Sequence, residues 1–139
     1  MSRPRVLFLC TANSARSQLA EALLRHLAGD RYEACSAGTH PSRVHPMSIA
    51  VLEEAGVSTQ GLVSTSIETA LAGGPVQHAF AVCAAAGEAC PALVDAVAQV
   101  TPWPFDDPQT SGPEEEQLAS FRATRDLILA KIEAWLAEG

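Results

Sequence analysis

The stretch Cys10-Thr11-Ala12-Asn13-Ser14-Ala15-Arg16-Ser17 holds the residue types of this chain best suited to chemistry. A cysteine attacks only as its thiolate, which backbone N–H groups, a helix N-terminus or a nearby guanidinium stabilise. Arg16 brings a planar fork that grips two oxygens of a tetrahedral oxyanion. Asn13 and Ser17 add hydrogen-bond donors, expected to serve Cys10 or the loop backbone. The chemistry this implies is attack by the Cys10 sulfur on a bound oxyanion, with the thiol titrating below its ordinary ~8.5.

Two further groups bear on the reaction. In Phe105-Asp106-Asp107-Pro108 an aspartate precedes a proline, a pair that opens turns readily. By itself the pair reads as a turn; Asp107 is a carboxyl available for acid chemistry beside a nucleophilic cysteine loop, with Asp106 as its neighbour in a polar loop, and the role of general acid follows only from a family resemblance. Cys83 and Cys90 are separated by Ala84-Ala85-Ala86-Gly87-Glu88-Ala89. No Cys-x-x-Cys spacing and no matching histidine cluster accompanies them, so neither a metal site nor a thioredoxin-like site is expected. On a helix the pair would be about 10.5 Å apart in rise, whereas a disulfide needs Cα atoms within about 7 Å. The segment must loop or unwind for the two to join, and its small residues around Gly87 permit that. A thiol relay is therefore expected. Cys35 reads as a core residue. His26, His40, His45 and His78 show no ligand spacing and read as solvated or hydrogen-bonded; Trp103 and Trp135 read as packing residues.

These side chains need elements to hold them. Val6-Leu7-Phe8-Leu9 is a continuous apolar run ending at Cys10, as in a strand buried on both faces. After the polar loop, Leu19, Leu23 and Leu27 recur at helical spacing with Ala20, Leu24 and Ala28 beside them, and Gly29 closes the helix. Tyr32 to Ser36 is the second expected strand. Pro46 to Ala55 is the second helix, with proline in its first turn, and Ser64 to Leu71 a short third. His78 to Val82 is the third strand, ending at Cys83, and Gln99 to Trp103 the fourth. A loop is expected from Pro104 to Pro113 and a last helix from Glu114 to Leu136. Alternating strands and helices predict an α/β three-layer sandwich, its four-stranded parallel sheet in the order 2-1-3-4 with helices on both faces. In that order Cys10 and Cys83 end neighbouring strands, about 4.8 Å apart, and the three thiols gather around one anion site at the carboxyl edge of the sheet.

The 139 residues are read as one domain, 1–139. Nine basic residues against sixteen acidic ones give a net charge of −7, and no basic cluster exists, so a nucleic-acid surface is not expected. An acidic protein draws no anion from a distance, so any oxyanion site must work locally. No apolar run has the ~20 residues of a membrane span, and no signal-peptide core follows the basic N-terminus. A cytoplasmic protein that does not bind membranes is expected, where thiols stay reduced unless they work.

Cysteine, five residues, arginine and serine after an N-terminal strand resemble the signature of the low-molecular-weight tyrosine phosphatase fold. With Ser36-Ala37-Gly38, the Cys83 and Cys90 pair followed by Pro91, and Trp103-Pro104-Phe105-Asp106-Asp107-Pro108, nearly the whole chain resembles the thioredoxin-coupled arsenate reductase family. That resemblance implies a mechanism. The Cys10 thiolate attacks arsenic while Arg16 and the loop Thr11, Ala12, Asn13, Ser14, Ala15, Arg16 and Ser17 hold the oxyanion, and Asp107 assists water to leave. Cys83 attacks Cys10 and releases arsenite; Cys90 attacks Cys83, and reduced thioredoxin restores the thiols. The implied partners are arsenate, with phosphate or sulfate as competing oxyanions, and thioredoxin; no cofactor is required, and a monomer is expected. Relatives that hold a structural potassium ion do so with residues matching Asn13, Glu21 and Ser36 and an aspartate further on; Thr65 stands at about that last place, so no metal is carried over. The other reading is a phosphomonoesterase using Cys10, Arg16 and Asp107. Hydrolysis has no use for Cys83 and Cys90, and Gln109-Thr110 stands after Pro108 where a tyrosine phosphatase usually places aromatic residues.

Overall fold

The computed structural model describes residues 3–83 and 100–138. Cys90, and Gln99 at the expected start of the fourth strand, lie outside the described residues. The first strand, β1 (Arg5–Cys10), is buried without a break from Val6 to Cys10. Side chains alternate between the two faces of a strand, so an unbroken buried run means that both faces of the sheet are covered. β1 pairs on one side with β2 (Glu33–Gly38) and on the other with β3 (His78–Cys83), which pairs in turn with β4 (Val100–Phe105). All three pairings are parallel and the order is β2-β1-β3-β4, as the alternation predicts.

Three boundaries differ from expectation. β4 continues through Pro102 and Pro104 to Phe105, so the loop expected from Pro104 begins one residue after it ends, beyond Phe105. Proline cannot donate to a ladder, and β4 tolerates two because it is the edge strand among the described residues and its ladder with β3 is interrupted between Ala81 and Cys83. β2 runs on to Gly38. A Cβ at Gly38 would lie 2.5 Å from the Thr11 carbonyl oxygen, so only glycine lets this strand end against the Cys10 loop. The third helix starts later than Ser64: Ser66 is its N-cap, its hydroxyl accepting the Thr69 N–H at 3.2 Å.

The helices are α1 (Arg16–Ala28), α2 (Pro46–Glu54), α3 (Ile67–Ala72) and, at the chain's end, α4 (Glu114–Glu138). Leu19, Ala20, Leu23 and Leu24 form the buried face of α1, which packs against α2 and α4. On one face of the sheet Phe8, Phe80 and Trp103 stack across three adjacent strands, with the Phe80 and Trp103 rings 3.8 Å apart. Trp135 of α4 meets them edge-on. Each such ring, once buried, stabilises the fold by about 1.5–3 kcal/mol, and together they fix the sheet that carries Cys10 at its carboxyl edge. Among the described residues no helix is long and apolar enough to cross a membrane.

Candidate active site

The loop between β1 and α1 is shaped from behind. The Thr11 carbonyl accepts from the His40 N–H (2.8 Å), Ala12 from the Ser42 N–H (3.1 Å), Ser14 from the His45 N–H (2.9 Å) and Ala15 from the Leu19 N–H (2.9 Å). The Asn13 carbonyl accepts from the Gln18 amide at 3.0 Å. Across a trans peptide the C=O and the following N–H point in opposite directions. With the carbonyls from Thr11 to Ala15 turned outward, the N–H groups that follow them turn inward. Ala15 is the N-cap of α1 and offers no side-chain hydrogen bond to its first turn, which leaves those N–H groups for an anion.

Asn13 sets the curvature. It adopts a left-handed conformation, φ 49°, which asparagine tolerates better than most residues. It is fully buried. Its amide donates to Ser17 Oγ (2.8 Å) and Ser36 Oγ (2.9 Å), and its carbonyl oxygen Oδ1 accepts the Thr65 N–H at 2.7 Å. For Asn13 this corrects the expectation that its side chain serves Cys10 or the loop backbone; Ser17 is one of its acceptors. The Asn13 side chain faces away from the loop's interior and ties it to α1, β2 and the segment before α3; side chains that reach the loop backbone include Gln18, on the Asn13 carbonyl, and Ser64, on the Ala12 carbonyl at 3.0 Å. Ser36 passes the network on, donating to Glu21 Oε1 at 2.7 Å. Burial pushes the Glu21 carboxyl up, against the opposing pull of Ser36 and Arg25. The Arg25 guanidinium lies 3.5 Å from Glu21 and Thr65 carries no charge. The one carboxylate of the set is thus already opposed by a guanidinium, and a neutral hydroxyl stands where the potassium-binding relatives carry an aspartate. Among the described residues, no group of three His, Cys, Asp or Glu side chains could hold a metal.

Cys10 and Arg16 line a cavity of about 360 Å³ with Asp107, His45 and Thr110. Arg16 is held along its length: Nη1 donates to the Phe105 carbonyl at 2.9 Å, and Nη2 lies 3.3 Å from Asp107 Oδ1. Its Nε is buried without a hydrogen-bond partner, a donor that an oxyanion in the cavity would satisfy. Asp107 is 68% exposed, so it approaches the cavity from the rim. Pocket, thiol, fork and carboxyl thus lie together. Cys83 stands two positions beyond Ala81, and Cys10 one beyond Leu9, the residues that face each other across β1 and β3. The two cysteines therefore close neighbouring strands at the same sheet edge. A larger hollow of about 610 Å³ lies at the opposite edge, but there Arg5 is bound to Glu33 and to the Gly74 carbonyl, and it holds no nucleophile.

Two lining residues escaped the sequence reading. Thr110 belongs to the loop after Pro108. His45, read as solvated or hydrogen-bonded, is hydrogen-bonded as the cap of α2, and it also borders the cavity. Its place directly before Pro46 is the one available signal, since a residue before proline is extended, as an N-cap must be.

Residues 5–138 match the family described as low molecular weight phosphotyrosine protein phosphatase. The chain is similar to an arsenate reductase of Halalkalibacterium halodurans, with 34% identity over all of this chain and 99% of that one. It is 31% identical to a glutaredoxin arsenate reductase of Synechocystis sp., over 96% of this chain and 97% of that one. Among solved structures it resembles an arsenate reductase in the phosphate binding state, with a TM-score of 0.80 and 30% identity over 97% of this chain and 98% of that one.

Proposed function

The chain belongs to the low molecular weight phosphotyrosine protein phosphatase family, and on that premise we propose that it is an enzyme that reduces arsenate to arsenite. The observation that carries this reading over hydrolysis is that Cys83 ends the strand beside the one that Cys10 ends. A hydrolase of this design needs one thiol, whereas a two-electron reduction needs two within reach of each other.

The inward N–H groups and Arg16 bind the oxyanion, displacing Asp107 from the guanidinium. The Cys10 thiolate bonds to arsenic, and one oxygen departs as water after taking a proton from Asp107. The loop amides meet the charge that develops on the remaining oxygens. Cys83, as thiolate, then attacks the Cys10 sulfur. The sulfur–arsenic bond breaks, its electron pair stays on arsenic, and arsenite leaves behind a Cys10–Cys83 disulfide. Attack by Cys90 on Cys83 expels the Cys10 thiolate and forms Cys83–Cys90. Arsenic has gained two electrons and two thiols have lost them. Reduced thioredoxin is the proposed electron donor, and phosphate and sulfate are competitors for the loop. The proposed setting is a cytoplasmic monomer, with no organic cofactor or metal in the cycle.

The test follows arsenate-dependent oxidation of NADPH through three donor systems: thioredoxin with its reductase, glutaredoxin with glutathione, and glutathione alone. Thioredoxin is expected to sustain turnover, and Cys90→Ser to abolish it with that donor. Turnover by glutaredoxin only would reassign the donor. Hydrolysis of p-nitrophenyl phosphate without any arsenate-dependent oxidation would overturn the reductase reading in favour of a phosphomonoesterase.

A further inference from the structure

We propose that His45 is the positioning residue for Asp107, its ring held as the neutral tautomer with the proton on Nε2 and donating across the oxyanion cavity to the Asp107 carboxyl. The role in turnover rests on the reductase reading, whereas the pairing itself does not.

Four observations converge on this histidine. It borders the cavity together with Cys10, Arg16 and Asp107. Its Nδ1 accepts the Met47 N–H at 3.1 Å as the N-cap of α2. A ring nitrogen that accepts carries no proton, so the proton of the neutral ring is on Nε2. The ring cannot swing away. Its backbone N–H is bound to Ser14 of the cysteine loop at 2.9 Å, and its face lies 4.8 Å from the Phe121 ring of α4.

The charged groups around it keep the ring neutral. Burial and Arg43 push its protonation below the ordinary histidine range, and Asp107 pulls the other way but loses. From α1 the facing charge is Arg16, which opposes a second cation, and from β1 the Cys10 sulfur, which as thiolate pulls the same way as Asp107, both across the cavity. α4 faces it with Phe121; the neighbouring Arg122 and Arg125 are bound to Glu54 at the far end of α2. Protonating Nδ1 would also break the helix cap.

A neutral donor is what Asp107 needs at this point of the cycle. Asp107 lies beside Arg16, 3.3 Å from Nη2. An oxyanion takes over that fork, and Asp107 must stay over the cavity and hold a proton for the departing oxygen. A cation beside it would favour the ionised carboxylate and oppose that task. A neutral Nε2–H orients the carboxyl without adding positive charge.

The test combines nitrogen-15 NMR of the histidine rings with steady-state kinetics. The expected spectrum shows His45 neutral at pH 7 with Nε2 protonated. Asp107→Asn removes the anion that raises its protonation point, so His45 should titrate lower still in that variant. His45→Asn keeps an N-cap side chain but lacks the ring. It should lower kcat for arsenate about fivefold, the scale of one lost hydrogen bond, with KM for arsenate and inhibition by phosphate unchanged. A proton on Nδ1, or a His45 titration indifferent to Asp107→Asn, would overturn the pairing. A change in KM and phosphate inhibition, or an unchanged kcat, would overturn the positioning role. If the native protein turns over no arsenate, the reductase reading fails while the NMR comparison still decides the pairing.

Discussion

Cys10 and Cys35 stand on adjacent strands of one sheet, each near an arginine, and the contrast between them shows what makes a thiol usable. Cys35 lies on β2 opposite Leu7, only half-buried, its thiol donating to the Val6 carbonyl at 3.4 Å and its sulfur accepting from Arg5 Nη2 at 3.6 Å. Desolvation pushes that thiol up to about 11, and the neighbouring arginine does not reverse it. Arg5 is already bound to Glu33 at 2.6 Å and to the Gly74 carbonyl, and Glu21 and Glu33 add negative charge that disfavours a thiolate. Cys10 is the more buried of the two, at 4% exposure. Burial alone would make it the more inert. What separates them is the loop, where outward-turned carbonyls leave N–H groups and an uncapped helix end facing the sulfur's surroundings. A cation nearby is insufficient; the backbone must be turned toward the charge.

The comparison can be broken most sharply by exchanging the sulfurs. Cys10→Ser is expected to lower arsenate turnover by at least about 10³-fold, because the step loses its nucleophile, while Cys35→Ser stays within about twofold. Arsenite release measures both. A comparable loss in the two variants would refute the distinction.

Arg16→Lys keeps the charge but loses the fork, and should cost about 10²-fold or more in kcat/KM. Phosphate inhibition should weaken in parallel, since the same fork holds both anions. Asp107→Asn should lower kcat by about 10²-fold and leave labelling of the Cys10 thiol intact, which separates loss of the acid from loss of the nucleophile.

Thiol titration sharpens the contrast at the smallest scale. Iodoacetamide should label Cys10 at pH values below the ordinary thiol range and Cys35 half-maximally only near pH 11. The folded Cys35 holds its proton to a higher pH than the unfolded one. Stability should therefore fall as pH rises from the ordinary value near 9 to about 11, and Cys35→Ala should remove that part of the fall. Peptide mass mapping and denaturant melts across that window check the two statements.

The strands themselves and the strand–loop–helix around Cys10 were legible because each depends on short-range pattern, whereas the sheet order and the role of Asp107 were read by likeness to known α/β folds and to the phosphatase family's acid loop. An apolar run, a helical repeat and an aspartate before a proline read directly from neighbours in the chain. What was not legible depends on residues far apart. No local pattern around Asn13 announces that Ser36 and Thr65 will take up its amide and turn it away from the loop; only the resemblance to potassium-binding relatives grouped these positions. Likewise His45 has no local mark of a pocket residue; it borders the cavity because Ser14 binds its N–H and Phe121 blocks the other side. The end of β2 at Gly38 follows from the close approach of Thr11, a contact between segments that no window of sequence contains.

The most direct measurement of the central claim is a single turnover without reductant. Fully reduced protein is mixed with arsenate, or with phosphate, and the free thiols are counted before the disulfides are mapped by peptide mass. The account predicts that arsenate alone consumes two thiols, found as Cys83–Cys90, with one arsenite released and Cys10 and Cys35 still free. Survival of all four thiols after arsenate, or a disulfide that includes Cys35, would contradict it.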